Sequence, residues 1–295
     1  MFSGYFAAIV TPFVDGKVDL KSLEKYINYL VSSGISGIVV CGSTGEALSL
    51  SPQEKIDVIT TAAKIADGKT KMIAGIVGSA TQDCFELMKN TENCVDAFLC
   101  VCPYYIKPSQ EQLYAHFEKL SSSTSNKLIL YNNPSRVGTS IAFDTLKRLS
   151  ELNNVVGIKE CGSNLSVFAS WRLQLKDGFF LLTGDDGVAC GALALGAAGV
   201  ISVSANVIPE MCVTMYQALK KGEMERFSAA RDMIAPVHSV LFEAPSPAPV
   251  KYALSRLGYI QNELRLPLSP ISEQLKARID DVMKKMDLKW QNIRK

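Results

Sequence analysis

The sequence lacks the features that mark membrane, nucleic-acid-binding and metal-binding proteins. No apolar run among its 295 residues approaches the ~20 residues that span a bilayer, and we expect no secretory signal. Its 31 basic and 29 acidic side chains give a formal charge of +2, so nucleic acid and anionic membrane are not expected partners. The two histidines, His116 and His238, each stand alone in a helical pattern, so a metal site is not expected either.

Cysteine occurs eight times, but not in the spacing of a disulfide framework or a zinc site. Four cysteines lie in apolar runs and are predicted to be small buried hydrophobic residues, namely Cys41, Cys100, Cys102 and Cys190. We therefore expect a soluble, cytoplasmic protein with reduced thiols.

Short apolar runs recur along the first part of the chain and predict eight β-strands. They span residues 5–11, 36–41, 71–77, 96–102, 127–132, 155–159, 179–183 and 198–203. The runs are nearly continuous rather than alternating, which is typical of parallel strands that are covered on both faces.

Amphipathic helical patterns lie between the runs. Three of them open on what we interpret as N-terminal caps, at Ser51–Glu54, Ser79–Gln82 and Ser109–Gln112. Eight strands that alternate with helices predict an α/β fold, a (β/α)₈ TIM barrel, over residues 1–220. A doubly wound open sheet is the alternative, but the chain lacks its usual glycine-rich turn.

The remaining residues, 221–295, contain no further strand pattern. Periodic segments near 223–241, 246–258 and 270–287 predict helices, after a helix at 207–219 that follows the last strand. We expect an appended C-terminal helical bundle that packs on the barrel.

Lys159 closes the sixth predicted strand, in the segment Asn154–Gly162. Burial disfavours the ammonium form, so we expect a depressed pKa and a neutral amine that attacks a carbonyl to form a Schiff base. The alternative is a lysine whose stem packs at the strand end while its ammonium reaches solvent.

Other strand ends carry polar groups, and active sites of barrels lie at these ends. The Gly42–Gly45 turn is either a nest for a carboxylate or an ordinary capped turn. Tyr131 is a proton carrier or a packed aromatic, and Arg136 is a carboxylate clamp or a solvated side chain. Asp185 and Asp186 are interpreted as a helix cap rather than a metal site. Together these groups match covalent amine chemistry on a small α-keto acid.

Three ordered motifs carry a resemblance that runs essentially end to end. The chain is similar to the pyruvate-dependent class I aldolases of the dihydrodipicolinate synthase and N-acetylneuraminate lyase superfamily. The motifs are Gly42-Ser-Thr-Gly-Glu46, Tyr131-Asn-Asn-Pro-Ser-Arg136 and Gly157-Ile-Lys-Glu160, with further similarity at Ala8–Pro12, Pro103–Gln110 and Ser246–Lys251. Arg136 and Glu160 match the segments Tyr-Asn-x-Pro-Ser-Arg and Gly-Ile-Lys-Glu of the synthases. Ser43 instead gives the turn the sequence Gly-Ser-Thr-Gly-Glu, which is similar to the lyases.

The resemblance implies a role for each matching residue. Lys159 forms an imine with pyruvate, Tyr131 gives and takes protons, and Ser43 and Tyr105 complete a proton relay. Thr44 and the backbone at Ile201 hold pyruvate, and Arg136 binds the carboxylate of L-aspartate-4-semialdehyde. Tyr105 enters from a neighbouring subunit, so the expected assembly is a homotetramer built from dimers. We expect no cofactor and no metal.

Two alternatives stay open at this point. One is another pyruvate-dependent aldolase, such as N-acetylneuraminate lyase, against which Arg136 argues. The other is a barrel that binds a keto acid without turnover, against which Lys159 and Tyr131 argue.

The resemblance also implies a regulatory site for L-lysine at Ser79, Asp83 and Tyr104, with Ala47 and Leu48 beside them. Asp83 presents a shorter acidic side chain than a glutamate, and the positive charge of Lys55 repels a cationic ligand. We therefore expect weak or absent inhibition by lysine.

Overall fold

A closed barrel of parallel strands forms the centre of the computed structural model, which describes residues 2–293 and the side chains of residues 2–286. Its eight strands are β1 Gly4–Ala8, β2 Gly37–Val40, β3 Lys71–Ile76, β4 Ala97–Val101, β5 Lys127–Asn132, β6 Val155–Glu160, β7 Phe180–Thr183 and β8 Gly199–Ser202. Each strand pairs with its neighbours in chain order, and β1 closes the barrel by pairing with both β2 and β8. The predicted TIM barrel is confirmed.

The first strand ends earlier than predicted, at Ala8. The chain then forms a two-stranded antiparallel hairpin, Phe13–Val14 with Lys17–Val18, which the sequence did not predict. Asp15 and Gly16 turn the hairpin with positive φ, a conformation that glycine adopts easily and aspartate tolerates.

Helices surround the barrel and continue into the C-terminal region. They are α1 Leu20–Ser32, α2 Pro52–Ala66, α3 Thr81–Thr91, α4 Gln110–Ser122, the single turn α5 Pro134–Val137, α6 Phe143–Ser150, α7 Ser166–Arg172, α8 Ala189–Ala194, α9 Pro209–Lys221, α10 Met224–Leu241, α11 Ala248–Arg256 and α12 Glu273–Ile293. The C-terminal helices are confirmed, while the domain division at residue 220 stays a prediction. In the described part of the chain no helix is long and apolar enough to cross a membrane.

Two of the three predicted caps are present. Ser51 forms a capping box with Glu54, and Ser109 forms one with Gln112. In each pair, each side chain accepts a hydrogen bond from the backbone N–H of the other residue. The cap predicted at Ser79 is wrong, because the Ser79 hydroxyl instead hydrogen-bonds both the carbonyl and the N–H of Tyr104.

A buried ion pair joins the barrel to the C-terminal region. Lys251 on α11 and Glu46 after β2 are both fully buried, and Lys251 Nζ lies 2.5 Å from Glu46 Oε1. The same ammonium donates to the Glu263 carbonyl at 2.8 Å and lies 3.9 Å from the centroid of the Phe13 ring. Burial is the main reason that the pKa of Lys251 is lowered to about 8, while Glu46 opposes that shift.

We predict that Lys251→Met destabilises the fold by about 3–5 kcal/mol, because it leaves the Glu46 carboxylate buried without its cation. Chemical denaturation of the variant measures the loss. Arg278→Met, which breaks the partly exposed pair with Glu243, is the control and is expected to lose under about 1 kcal/mol. Adding Glu46→Gln to Lys251→Met should recover part of the stability, and a double variant as unstable as the single one would contradict this explanation.

Candidate active site

A cavity of about 550 Å³ opens at the carboxyl end of the barrel strands. This volume suits a small metabolite. Residues of the barrel loops line it, among them Ser43, Tyr131, Asn133 and Arg136. The C-terminal region also contributes to the lining, through Pro245, Ser246, Leu266, Pro267 and Leu268.

Lys159 and Tyr131 lie side by side near the carboxyl ends of their strands. They are register partners on β6 and β5, and both are buried. Lys159 Nζ lies 4.4 Å from the centroid of the Tyr131 ring. Tyr131 lines the cavity, so the amine of Lys159 packs against a ring that borders it.

Gly184, after β7, makes room for the lysine side chain. A Cβ atom at this position would lie 2.2 Å from Lys159 Cε and 2.3 Å from Cys161 Sγ, closer than atoms can approach. Cys161 follows β6 two positions after Lys159, so it projects to the same face of the strand.

The turn after β2 has two backbone N–H groups without a partner among the described residues, and its role as a carboxylate nest stays a prediction. Its internal hydrogen bonds use the N–H groups of Gly45, Glu46 and Ala47. The N–H groups of Ser43 and Thr44 make no hydrogen bond to any described residue, so both are available to an anion.

Arg136 lies on the α5 turn with an exposed side chain and lines the cavity. It is close enough to Lys159 for its charge to disfavour the ammonium. A guanidinium at this mouth can hold a carboxylate while the buried amine reacts below it.

The cavity lining does not include Tyr105, Ile201 or the buried Thr44. Tyr105 is 91% exposed, has a positive φ of 72° and does not line the cavity. Ile201 is buried on β8, where it pairs with Phe6 of β1. The structure therefore brings Lys159, Tyr131, Ser43 and Arg136 together, but not Tyr105.

The electrostatics of Lys159 differ from the expectation. Burial is the largest influence and by itself lowers the pKa of Lys159, but the nearby Tyr131, Cys161 and Asp186 outweigh it. The pKa of Lys159 is therefore raised above its ordinary 10.5, and the predicted depression is wrong. The resting amine is an ammonium that must give up a proton before it attacks a carbonyl.

Comparison with known proteins identifies the family. The chain matches the model of the dihydrodipicolinate synthetase family over residues 1–286. It belongs to that family. The 4-hydroxy-tetrahydrodipicolinate synthase of Parvibaculum lavamentivorans is 38% identical over 289 residues, which cover 98% of this chain and 99% of that protein.

Solved structures of family members superpose closely on this chain. The 4-hydroxy-tetrahydrodipicolinate synthase of Methylacidiphilum fumariolicum gives a TM-score of 0.96 at 35% identity, covering 100% of this chain and 99% of that one. The dihydrodipicolinate synthase of Acinetobacter baumannii, solved with pyruvate, gives a TM-score of 0.94 at 36% identity. The match covers 97% of this chain and 99% of that one. The resemblance drawn from the sequence motifs is confirmed.

The predicted regulatory residues are less clearly grouped. Tyr104 lines the active-site cavity, and the Ser79 hydroxyl is engaged by the backbone of Tyr104. Asp83 is exposed in the first turn of α3. A regulatory role for these residues stays a prediction.

Asp185 and Asp186, the two acidic residues after β7, form different hydrogen bonds. Asp185 accepts from the N–H of Gly187 and caps the short helix that begins there, as predicted. Asp186 instead accepts from the N–H groups of Val203 and Ser204 after β8, so for Asp186 the cap interpretation is wrong. Among the described residues no group of acidic, histidine or cysteine side chains could hold a metal.

The burial predicted for Cys190 is wrong in degree, because its side chain is only partly buried.

Several residues of the site were not singled out from the sequence. Asn133 and Gly184 appear there only as parts of longer segments. Glu46 and Lys251 were quoted within the resembling motifs, but nothing in the sequence joins positions that lie so far apart. A signal for Asn133 was present, since it occupies the open position x of Tyr-Asn-x-Pro-Ser-Arg.

We predict that imine formation with pyruvate accelerates as the pH rises. Because the pKa of Lys159 is raised, the neutral amine is scarce at neutral pH and grows about tenfold per pH unit. Borohydride trapping rates at limiting pyruvate, measured between about pH 7 and 9, should rise throughout that range. A plateau reached near neutral pH would show that the amine is already free.

Proposed function

We propose that this chain condenses pyruvate with L-aspartate-4-semialdehyde to 4-hydroxy-tetrahydrodipicolinate, on the diaminopimelate route to lysine. The observation that carries the proposal is the buried Lys159 beside Tyr131, beneath a cavity that Ser43 and Arg136 line. The similarity to 4-hydroxy-tetrahydrodipicolinate synthases and the pyruvate complex of a structural relative support it.

The reaction begins when the neutral amine of Lys159 attacks the keto carbon of pyruvate, while the N–H groups of Ser43 and Thr44 hold the carboxylate. Water leaves the carbinolamine after Tyr131 protonates the hydroxyl, which gives the iminium. The Tyr131 phenolate left by this step then takes a proton from the methyl carbon, which restores the phenol and converts the iminium to the enamine. The enamine carbon then attacks the aldehyde.

Arg136 selects the second substrate in this scheme. Its guanidinium lies at the mouth of the cavity, where it can pair with the carboxylate of aspartate semialdehyde in fork geometry. Pyruvate is held deeper in the barrel, so the two carboxylates have separate partners.

A homo-oligomer completes the proposed site. Tyr105 is almost fully exposed, with Ile106 and Leu48 as further exposed apolar side chains, and it does not reach the cavity of its own chain. We infer that Tyr105 enters the site of a neighbouring subunit, with dimers pairing into a tetramer. All eight cysteines are free, which supports a reducing compartment such as the cytoplasm.

We predict that borohydride reduction with pyruvate labels Lys159 alone. Peptide mass spectrometry should find one pyruvate-derived addition, and a coupled assay with both substrates should show turnover. Lys159→Ala should lose both, whereas Lys127→Ala, at the far end of β5, should keep both. Labelling of a different lysine refutes the assignment, and labelling without turnover favours a binding protein.

We predict that Arg136→Ala lowers the use of aspartate semialdehyde by about 10²-fold or more, on the order of losing one partner of a charge pair that the bound substrate covers. Pyruvate trapping should persist in the variant. Arg148→Ala, which removes an exposed pair with Glu111, is the matched control. Equal loss of trapping and of turnover in Arg136→Ala would contradict the division between the two substrates.

A further inference from the structure

Asn133 contacts the phenol that the proposed mechanism uses as proton carrier. The side chain is buried and lines the cavity. Its amide Nδ2 donates to the Tyr131 hydroxyl oxygen at 3.1 Å, and its Oδ1 accepts from the Ser135 hydroxyl at 2.9 Å. In this arrangement the amide presents its N–H to Tyr131 and its oxygen to Ser135.

The backbone that carries Asn133 is held on both sides. The Tyr131 carbonyl accepts from Cys102 N–H at 3.2 Å, and the Asn132 carbonyl accepts from Cys161 N–H at 3.0 Å. Strand alternation sends the Asn132 side chain to the opposite face, where it donates to the buried Glu160 carboxylate at 2.7 Å. The same side chain accepts from the N–H of Ile141 at 3.1 Å, which closes the loop that Asn133 opens.

A purely structural role for Asn133 needs only the oxygen of its side-chain amide. As the residue before α5, Asn133 accepts from Ser135 in a local contact that an aspartate makes equally well. The Nδ2 donor serves no part of that turn, and its acceptor is the Tyr131 oxygen. The local fold therefore does not explain the hydrogen bond from Nδ2 to the Tyr131 oxygen.

We propose that Asn133 is a positioning residue for Tyr131, a role that rests on the proposed function of this phenol. Because the oxygen of Tyr131 accepts from Asn133, its single proton is left for another acceptor, which is Cys161 in the resting site and the reacting atoms in the proposed mechanism. The same N–H stabilises the negative charge that grows on the oxygen when the proton leaves, without reorganisation during the reaction.

The exchange of pyruvate methyl protons with deuterated water isolates this step from the second substrate. In each exchange the Tyr131 phenolate takes a C–H proton and becomes a phenol, while the C–H electron pair forms the enamine double bond and the iminium nitrogen becomes neutral. The phenol proton exchanges with deuterated water, and deuterium then returns to the carbon by the reverse step. Proton NMR follows the loss of the methyl signal.

We predict that Asn133→Asp slows this exchange about 10- to 100-fold, the range for losing a hydrogen bond to a charged group. Borohydride trapping of pyruvate and the melting temperature should stay near those of the unmodified chain, because aspartate keeps the contact with Ser135. Asn133→Ala should slow exchange similarly. Gln110→Ala is the control, since it releases the far end of the same loop at Ser140 and Ala142 but leaves the donor in place.

The outcomes separate this inference from the function on which it rests. Unmodified exchange in both Asn133 variants overturns it, and so does exchange that falls equally in Gln110→Ala. Loss of trapping in Asn133→Asp would assign Asn133 to pyruvate binding and also overturns it. If Tyr131→Phe exchanges normally, the proposed role of Tyr131 fails as well, whereas slow Tyr131→Phe with normal Asn133 variants removes this inference alone.

Discussion

The buried ion pair between Glu46 and Lys251 holds one wall of the active site, the turn after β2, to the C-terminal region. Neither side chain reaches solvent, so the pair is stable only while both partners stay in place. Glu46 ends the turn that carries Ser43 and Thr44, and it adopts a left-handed conformation, with φ of 52°. Its other oxygen accepts from the backbone N–H of Arg265. The turn after β2 and the C-terminal region are therefore fixed to each other.

Arg265 extends the same connection to the helix that follows the turn. Its guanidinium forms two hydrogen bonds with Glu54 in the first turn of α2 and one with the carbonyl of Ser49. This pairing is the main reason that the pKa of Glu54 is lowered to about 2. The neighbouring residues Leu266–Leu268 then reach the cavity wall. The C-terminal region thus supports the site through Lys251 on α11 and supplies part of its surface from the segments between the helices.

The groups around Lys159 favour its ammonium form at rest, so the reaction must begin with loss of a proton from this amine. Negative or polar partners hold the proton on Lys159 despite its burial, so the proton must move before the amine attacks. Tyr131 lies in contact with the amine, and its oxygen accepts from Asn133. Proton transfer is therefore arranged by packing and hydrogen bonding around one phenol, rather than by a lysine that is neutral at rest.

The sequence by itself determined the barrel, the C-terminal helices and the residues at the strand ends, because hydrophobic periodicity and capping are local signals. Lys159, Tyr131, Ser43 and Arg136 could be identified since parallel strands in a barrel bring their carboxyl ends to one rim. Tertiary structure decided the hairpin after β1, the pairing of Glu46 with Lys251 and the space that Gly184 leaves for Lys159. It also decided the direction of the Lys159 pKa shift, because burial is visible in an apolar run whereas the distances to Tyr131, Cys161 and Asp186 are not.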